Sequence, residues 1–339
     1  MYGFLDRSQK VVAVGDKGSQ GWKLVPFQPK PQHVNELIDG LKAGVALSNT
    51  WDPPMWLDTR QGAAEILMFA NGVLDIRARE FSRPSPRLWV QEAVDYDWEP
   101  EAQCPRWELF LEEVFPGDSE AQSSLEEFLG YCMTWDLRFE TGALLISDQP
   151  RTGKGTVFRV LMLLVAKRYI ALSFNNWVHG ENSQERLIGK TAGVFPDVRL
   201  RRGKCYGSNY DPGGLDHASV ELLLKLISGD SVSIGRKYIG AWNGIVPIKI
   251  AKASNEVPNF NDPVLPTRFI KFSFEQSFLD REDVNLKAKL AAELPGIAHR
   301  CMQAYWRACD SNFVNFSSCI SCFAGSEGGR SQERGAMSE

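Results

Sequence analysis

Residues 144–156 combine an apolar stretch, a tight turn and a helix start in the arrangement that phosphate-binding loops use. The apolar residues 144–146 lead into a turn with Gly-Lys-Gly-Thr at 153–156, and a mostly apolar, helix-compatible stretch follows. In such a strand–loop–helix unit, backbone N–H groups and the positive end of the helix dipole surround phosphate oxygens. The pattern therefore predicts nucleotide binding, with the ammonium group of Lys154 reaching the β- and γ-phosphates.

The loop departs from the standard phosphate-loop pattern at two positions. Asp148 stands where the pattern has glycine, so its carboxylate would repel a triphosphate and its Cβ would strain a tight turn. Gly155 stands where the pattern has Ser or Thr, and Thr156 follows one place later, which resembles nucleotide kinases of the adenylate kinase type. The alternative is a Gly-rich turn without a ligand. The predicted ATP-binding residues are Pro150, Arg151, Thr152, Gly153, Lys154, Gly155 and Thr156.

Composition limits the classes of protein to which the chain can belong. It has 339 residues, of which 43% are hydrophobic, enough for a sizeable core in one large or two smaller domains. The formal net charge of −4 means that nucleic-acid binding must come from local basic patches or an assembled ring. Seven scattered cysteines predict reduced thiols. No apolar run is long enough to span a membrane and no signal peptide is evident, so we expect a cytoplasmic protein.

Hydrophobic periodicity predicts strands and helices around the loop. The predicted strands are two short ones within residues 64–77, then 144–146, 245–253 and 269–274. The predicted helices are 107–115, 119–131, 218–227 and 283–306, the last interrupted at Pro295-Gly296. Strands that alternate with helices around a phosphate loop predict an α/β core with a mostly parallel sheet covered by helices.

The order of several short motifs is more specific than any one of them. The motifs are Asn71-Gly-Val-Leu-Asp75, Cys104-Pro-Arg-Trp107, Leu129-Gly-Tyr-Cys132, Pro150-Arg-Thr-Gly-Lys-Gly-Thr156, Leu226-Ile-Ser-Gly-Asp230, Arg236-Lys-Tyr238, Ser254-Asn-Glu-Val-Pro258 and Thr267-Arg-Phe269. Over residues 64–300 this order resembles the superfamily-3 helicases of the AAA+ class. The likeness is strongest to phage and plasmid primase-helicases related to the poxvirus primase-helicase.

The resemblance implies a role for five polar side chains. Lys154 would bind phosphate, and Asp197 would hold Mg²⁺ together with Thr156. Asn255 matches the polar sensor that orients the attacking water or reads the γ-phosphate. Arg268 would act as an arginine finger on the ATP of a neighbouring subunit. The alternatives are a strand-end cap for Asp197, a turn residue for Asn255 and a surface salt bridge for Arg268.

The resemblance also implies a DNA-binding hairpin at residues 231–244, at the pore of a ring. Arg236 and Lys237 would contact phosphates, and Tyr238 or Trp242 would stack on bases or support the hairpin. The alternative is an ordinary exposed hairpin.

The same resemblance implies four parts along the chain. Residues 1–99 are predicted as an N-terminal mixed region, and residues 100–140 as a helical region before the motor. Residues 141–310 would form the P-loop ATPase domain of AAA+ type. The tail 311–339, rich in Ser, Gly and charge, is predicted to be disordered or truncated.

Together these features predict an ATP-dependent DNA helicase module of a phage or plasmid-type replication protein. It would use ATP and Mg²⁺ at the subunit interfaces of a homo-oligomeric ring, a hexamer, and move on single-stranded DNA, with a separate primase as partner. One alternative is a degenerate ATPase used for DNA binding or assembly, which Asp148 favours, as does Val198 where a second acid is common. The other is a nucleotide kinase, although over a hundred residues precede the loop and no Arg-rich lid is evident.

Overall fold

The chain forms two compact units, residues 1–52 and residues 53–339. The structure is a computed structural model that describes residues 9–14, 21–26, 30–45, 54–59, 61–63, 65–90, 92–173, 184–196, 217–237, 239–255 and 262–311. The predicted functional residues Asp197 and Tyr238, the neighbouring Val198, and residues 312–339 of the tail lie outside the described residues.

The first unit contains a hairpin and a helix. Strands β1 (Gln9–Val14) and β2 (Gly21–Pro26) pair antiparallel, and the apolar side chains of Val11 and Leu24 share a cross-strand position. Helix α1 (Pro31–Val45) begins with proline, whose fixed φ suits a first helical turn, and carries Lys42 in its last turn, where a cation complements the helix dipole.

Six short strands open the second unit and form two small antiparallel sheets, β4-β3-β8 and β5-β6-β7. They are β3 (Met55–Trp56), β4 (Gln61–Gly62), β5 (Ile66–Met68), β6 (Val73–Asp75), β7 (Glu80–Ser82) and β8 (Leu88–Trp89). The predicted Asn-Gly turn joins β5 to β6. A Cβ on Gly72 would lie 2.5 Å from the Ser82 carbonyl oxygen, so no other residue fits there without a shift.

Two consecutive helices connect this part to the parallel sheet. Helix α2 (Pro105–Val114) buries Trp107, Phe110, Leu111 and Val114, which lie on one face at helical spacing. Helix α3 (Ser119–Met133) is capped by Asp118, whose carboxylate accepts the N–H of Ala121 at 2.9 Å. Both helices agree with the sequence prediction.

A five-stranded sheet of order β10-β11-β14-β9-β15 forms the centre of the second unit, and all four strand pairs are parallel. Its strands are β9 (Gly142–Ile146), β10 (Tyr169–Ala171), β11 (Ala192–Phe195), β14 (Lys249–Ser254) and β15 (Phe269–Ser273). The elements between them include α4 (Lys154–Val165), α5 (His217–Ser228), β12 (Ser231–Arg236) and β13 (Ile239–Ile245). Two helices follow, α6 (Leu286–Ala292) and α7 (Leu294–Asp310). The predicted parallel α/β core is confirmed.

Apolar side chains alternate between the two faces of this sheet. On β9, Ala143 and Leu145 belong to a core with α2, α3, α4 and α7, whereas Leu144 and Ile146 belong to a core with α5 and the hairpin β12–β13. A parallel sheet covered on both faces needs apolar residues in unbroken runs, which explains why all five β9 residues are buried.

Two element boundaries differ from the sequence prediction. The predicted strand 245–253 divides at Pro247: Ile245 ends the hairpin strand β13, and β14 begins at Lys249. The C-terminal helix breaks at Glu293, before Pro295-Gly296, because proline is tolerated in the first turn of α7. A Cβ on Gly296 would approach the carbonyl oxygens of Ala102 and Gln103 to 2.9 Å, so this glycine permits close packing. No helix within the described ranges is long and apolar enough to cross a membrane.

Candidate functional site

The phosphate-loop candidate lies where the parallel strands of the central sheet have their carboxyl ends. We call this end of the sheet the loop edge. In parallel register, Ile146 of β9 is level with Ser254 of β14 and Ser273 of β15, so the segments that follow these three strands meet at one edge. Ligands of open parallel sheets bind at this edge, next to strands whose connections leave in opposite directions. Here β9 connects to the β10 side of the sheet, while β14 connects across β9 to β15.

Backbone geometry at the loop depends on two residues with positive φ, Arg151 at 58° and Gly153 at 96°. A Cβ on Gly153 would lie 3.2 Å from Val114 and 3.3 Å from Phe110, so glycine is required sterically as well as conformationally. Asp148 is exposed and does not adopt positive φ. The expected strain at Asp148 is therefore wrong, and the strained non-glycine position is Arg151.

The loop leaves backbone donors available to a ligand. Among the described residues, no oxygen accepts the backbone N–H groups of Thr152, Gly153 or Gly155. Thr152 is buried, and the first N–H groups of a helix have no acceptor inside the helix itself. A phosphate group supplies several acceptor oxygens, and the N-terminus of α4 favours negative charge. The backbone of this loop therefore fits the phosphates of a nucleotide.

Two predicted site residues meet beside the loop. Lys154 Nζ lies 3.4 Å from Thr152 Oγ1 and 3.4 Å from Asn255 Oδ1. Asn255 follows β14 directly, and Lys154 follows the loop after β9, so adjacent parallel strands deliver an ammonium and an amide to one point. These distances are long for hydrogen bonds, which leaves room for both groups to turn toward an anion.

A groove of about 810 Å³ runs from the loop along α4. Its apolar lining includes Leu109 and Phe110 from α2, Val160 and Leu163 from α4, then Phe278 and Leu290. The same groove contains Gly153, Gly155 and Thr156, so a phosphate cradle opens into an apolar channel. This channel is large enough for a nucleoside.

The segment 275–285, which we name the strap, closes one side of the groove. It follows β15 at the sheet edge that carries the loop. Ser277 Oγ donates to the Pro150 carbonyl oxygen at 2.8 Å, and the N–H of Phe278 donates to the Arg151 carbonyl oxygen at 3.0 Å. The sequence prediction missed the strap because no motif marks these contacts, and its only signal is three apolar residues, Phe278, Leu279 and Val284, among polar ones.

Charged residues at the rim of the groove are mostly paired. Arg106 lies 3.1 Å from Glu113 and 3.9 Å from Asp283. A hydrogen bond from Lys289 is the main cause that holds the pKa of Asp283 below its usual range. Across the loop, Arg151 and Glu282 form a 3.5 Å pair.

Arg268 lies at the opposite edge of the sheet from the loop of its own chain. It precedes β15, and its carbonyl oxygen accepts from Thr141 Oγ1 at 3.1 Å, just before β9 begins. Five strand residues at about 3.3 Å each separate it from the loop edge. Its guanidinium contacts Glu140. The surface salt bridge is thus observed, and the finger role stays a prediction that only a neighbouring subunit can satisfy.

The predicted hairpin is present as β12 and β13, with a bulge between Ile234 and Arg236. Nε and Nη2 of Arg236 each donate to the Gly240 carbonyl oxygen at 3.1 Å and so close the turn. Lys237 is exposed at the tip. Trp242, half-buried, packs against the core on the α5 face of the sheet and supports the hairpin from behind.

The structure describes only part of the predicted magnesium site. Thr156 lies half-buried in the groove, and its proposed partner Asp197 is outside the described residues. In the ranges that the structure covers, no group of three or more His, Cys, Asp or Glu side chains is placed to hold a metal ion.

Comparisons with known proteins found one family model and several solved structures that are similar to parts of this chain. The chain aligns with a structure of the NrS-1 C-terminal region at 12% identity and a TM-score of 0.49, over 75% of this chain and 71% of that one. It aligns with the JCV helicase at 14% identity and a TM-score of 0.37, over 64% of this chain and 66% of that one. Residues 32–116 match the family model described as D5 N terminal like. This match covers about a quarter of the chain, and over that segment it supports the resemblance to the primase-helicase family.

Proposed function

We propose that the chain is an ATP-dependent DNA helicase module of a phage or plasmid-type replication protein. The observation that carries this proposal is the convergence of Lys154 and Asn255 beside a loop with available backbone donors. The ammonium would reach the β- and γ-phosphates, and the amide would orient the attacking water. Both are side-chain roles in the transfer of a phosphoryl group to water.

The chain would bind ATP with its phosphates on the loop and its adenosine in the groove. Lys154 neutralises phosphate charge, and Asn255 holds the attacking water in line. Thr156 and Asp197 would hold Mg²⁺, an ion that prefers hard oxygen ligands and that spreads the negative charge of the phosphates.

The hairpin β12–β13 would contact the DNA and transmit to it the conformational change that ATP hydrolysis drives. Arg236 donates twice to the Gly240 carbonyl oxygen and Lys237 is exposed at the tip, and both cations would contact phosphates. A homo-oligomeric ring, proposed as a hexamer, would gather these tips around a single strand and offset the net charge of −4. A separate primase would supply primers.

The test is ATP hydrolysis by the full chain with and without single-stranded DNA. We expect turnover that rises with DNA and that Lys154→Ala abolishes. Lys225→Ala is the matched control, because among the described residues the Lys225 ammonium pairs with Glu221 alone, on the surface of α5. A folded, ATP-binding chain with no turnover under either condition would overturn the helicase assignment.

A degenerate ATPase used for DNA binding or assembly is the second candidate. Asp148 favours it, since a carboxylate at the start of the loop repels phosphate. Asp148→Gly separates the two candidates. A large gain in turnover from this substitution would indicate a disabled ATPase, whereas little change would indicate that the exposed carboxylate is tolerated.

A further inference from the structure

Two cations in the groove, Arg159 and Lys287, have no hydrogen-bond or ion-pair partner among the described residues. Arg106, Arg151 and Lys289 are paired with carboxylates, and Arg281 Nη2 donates to the Ser277 carbonyl oxygen at 2.7 Å. Among the described residues, none makes a hydrogen bond or an ion pair with Arg159. Arg159 nevertheless lines the groove, and its side chain is exposed there.

The position of Arg159 on α4 directs it toward the phosphate end of the groove. It lies four residues after Gly155, so both residues share one face of the helix. Long side chains on a helix lean toward its N-terminus. The coordinates agree, because Arg159 Nη2 would be 4.0 Å from a Cβ on Gly155.

Gly155 therefore leaves a space between the loop and the Arg159 guanidinium. Lys154 serves the outer phosphates from the other side, beside Asn255. Beyond Arg159, the groove wall becomes apolar with Val160 and Leu163. A cation at this boundary would lie beside the point where the phosphate tail of a bound nucleotide joins its nucleoside.

We propose that Arg159 is a positioning residue that binds the α-phosphate of the nucleotide and so fixes the nucleoside along α4. This inference rests on the proposed function, since it assumes a nucleotide on the loop. A guanidinium can offer two parallel N–H donors to one phosphate group, which suits it to hold orientation as well as charge.

The test compares binding of ATP, ADP, AMP and adenosine to the parent chain, Arg159→Gln and Lys154→Ala, by calorimetry without hydrolysis. A charge-assisted hydrogen bond corresponds to roughly a 10- to 100-fold change in affinity. We expect Arg159→Gln to weaken ATP, ADP and AMP by similar factors in this range and to leave adenosine unchanged. Lys154→Ala should weaken ATP and ADP much more than AMP.

Lys287→Gln is the matched control, because Lys287 lines the same groove and also makes no pair among the described residues. We expect its effect to stay below about 2-fold, because Lys287 lies on α6 and not on the helix that begins at the loop. Unchanged thermal unfolding of Arg159→Gln would exclude misfolding.

Three outcomes would overturn the assignment of Arg159. They are unchanged affinity for all four ligands, a loss for ATP alone, or an equal loss for adenosine, which would indicate stacking on the base. In each of these the nucleotide site itself survives, because the parent chain still binds ATP. A parent chain that binds no nucleotide would refute the proposed function and this inference together.

Discussion

At the residue scale, the geometry of the loop depends on Gly153. Its φ of 96° disfavours any residue with a Cβ, and the added atom would press on Val114 and Phe110. We expect Gly153→Ala to lower the free energy of unfolding by about 1–3 kcal/mol.

The matched control is Gly155→Ala, two positions further along. Gly155 lies inside α4 in open space, so alanine should stabilise the chain by roughly 0.5–1 kcal/mol through its helix propensity. Urea unfolding of both variants without nucleotide checks the pair. Equal effects of the two substitutions would show that the conformation of Gly153 does not matter.

A second residue-scale prediction concerns Lys249, which is buried at the start of β14. Its ammonium donates to the Thr134 carbonyl oxygen at 2.6 Å and lies 4.6 Å from the centre of the Tyr131 ring. Burial nevertheless lowers the pKa of Lys249 to about 7, from 10.5. Because the folded chain releases this proton at lower pH than the unfolded chain, Lys249 makes stability rise between pH 7 and pH 10.5, by up to ~1.4 kcal/mol per pH unit.

Lys249→Met keeps the bulk of the side chain and removes the titration. We therefore expect denaturant unfolding from pH 7 to pH 9.5 to give a smaller rise in stability for Lys249→Met than for the parent chain. Lys252, whose pKa burial lowers to about 8, is present in both and cancels in the difference. Parallel pH profiles would mean that Lys249 keeps its proton in the folded chain.

The sequence predicted the candidate site residues that belong to local motifs. It missed those whose contacts come from distant parts of the chain. Lys154 was predictable because its spacing to Gly153 and Thr156 is local. Arg159 and Phe278 carry no local motif. Their role follows from the groove, which exists only once α2, α4 and the strap are folded together.

At the element scale, α2 is capped by a residue from the other end of the second unit. Both Glu293 carboxylate oxygens accept N–H groups of the first helical turn, from Arg106 and Trp107, each at 3.0 Å. Cys104, the residue before the helix, makes no side-chain cap. The carboxylate satisfies two orphan donors and complements the helix dipole.

We expect Glu293→Ala to destabilise the chain by about 1–2 kcal/mol, the usual cost of losing a helix cap. Glu293→Gln should cost less, because one oxygen remains as an acceptor. The control is Glu282→Ala, which removes only the exposed pair with Arg151 and should change stability by less than about 0.5 kcal/mol. Equal unfolding temperatures of Glu293→Ala and Glu282→Ala would show that the Glu293 cap does not stabilise the chain.

Element types followed from periodicity, but two boundaries did not. The run from Ile245 to Ala253 is apolar apart from Lys249 and Lys252, so its pattern does not show that a hairpin strand ends and a sheet strand begins within it. Pro247, which lacks an N–H donor, is the one local sign of the division. Glu293 likewise ends α6 because it reaches across to α2, and no local pattern encodes that contact.

At the scale of the whole molecule, the two edges of the central sheet present different halves of a proposed active site. Lys154 and Asn255 lie at one edge, and Arg268 lies at the other, beside Glu140. A single chain cannot bring these halves together, because the length of β9 and β15 separates them. The proposed ring would complete the site by setting the Arg268 edge of one subunit against the loop edge of the next.

This arrangement predicts that two inactive variants regain ATP turnover when they are mixed. Lys154→Ala should lack ATP turnover because its own loop fails, and Arg268→Ala because it fails its neighbour. In a mixed ring, an Arg268→Ala subunit keeps an intact loop, and an adjacent Lys154→Ala subunit supplies the missing guanidinium. We therefore expect mixing to recover turnover that neither variant shows alone.

The control for this experiment is Glu140→Gln, which removes the charge of the partner that Arg268 contacts within its own chain. Glu140→Gln should keep turnover, since the finger role does not need that pair. Native mass spectrometry of variants with different tags establishes that subunits exchange. Mixed rings that form and stay inactive would refute an action of Arg268 on the neighbouring subunit, and would leave its salt bridge with Glu140 as its role.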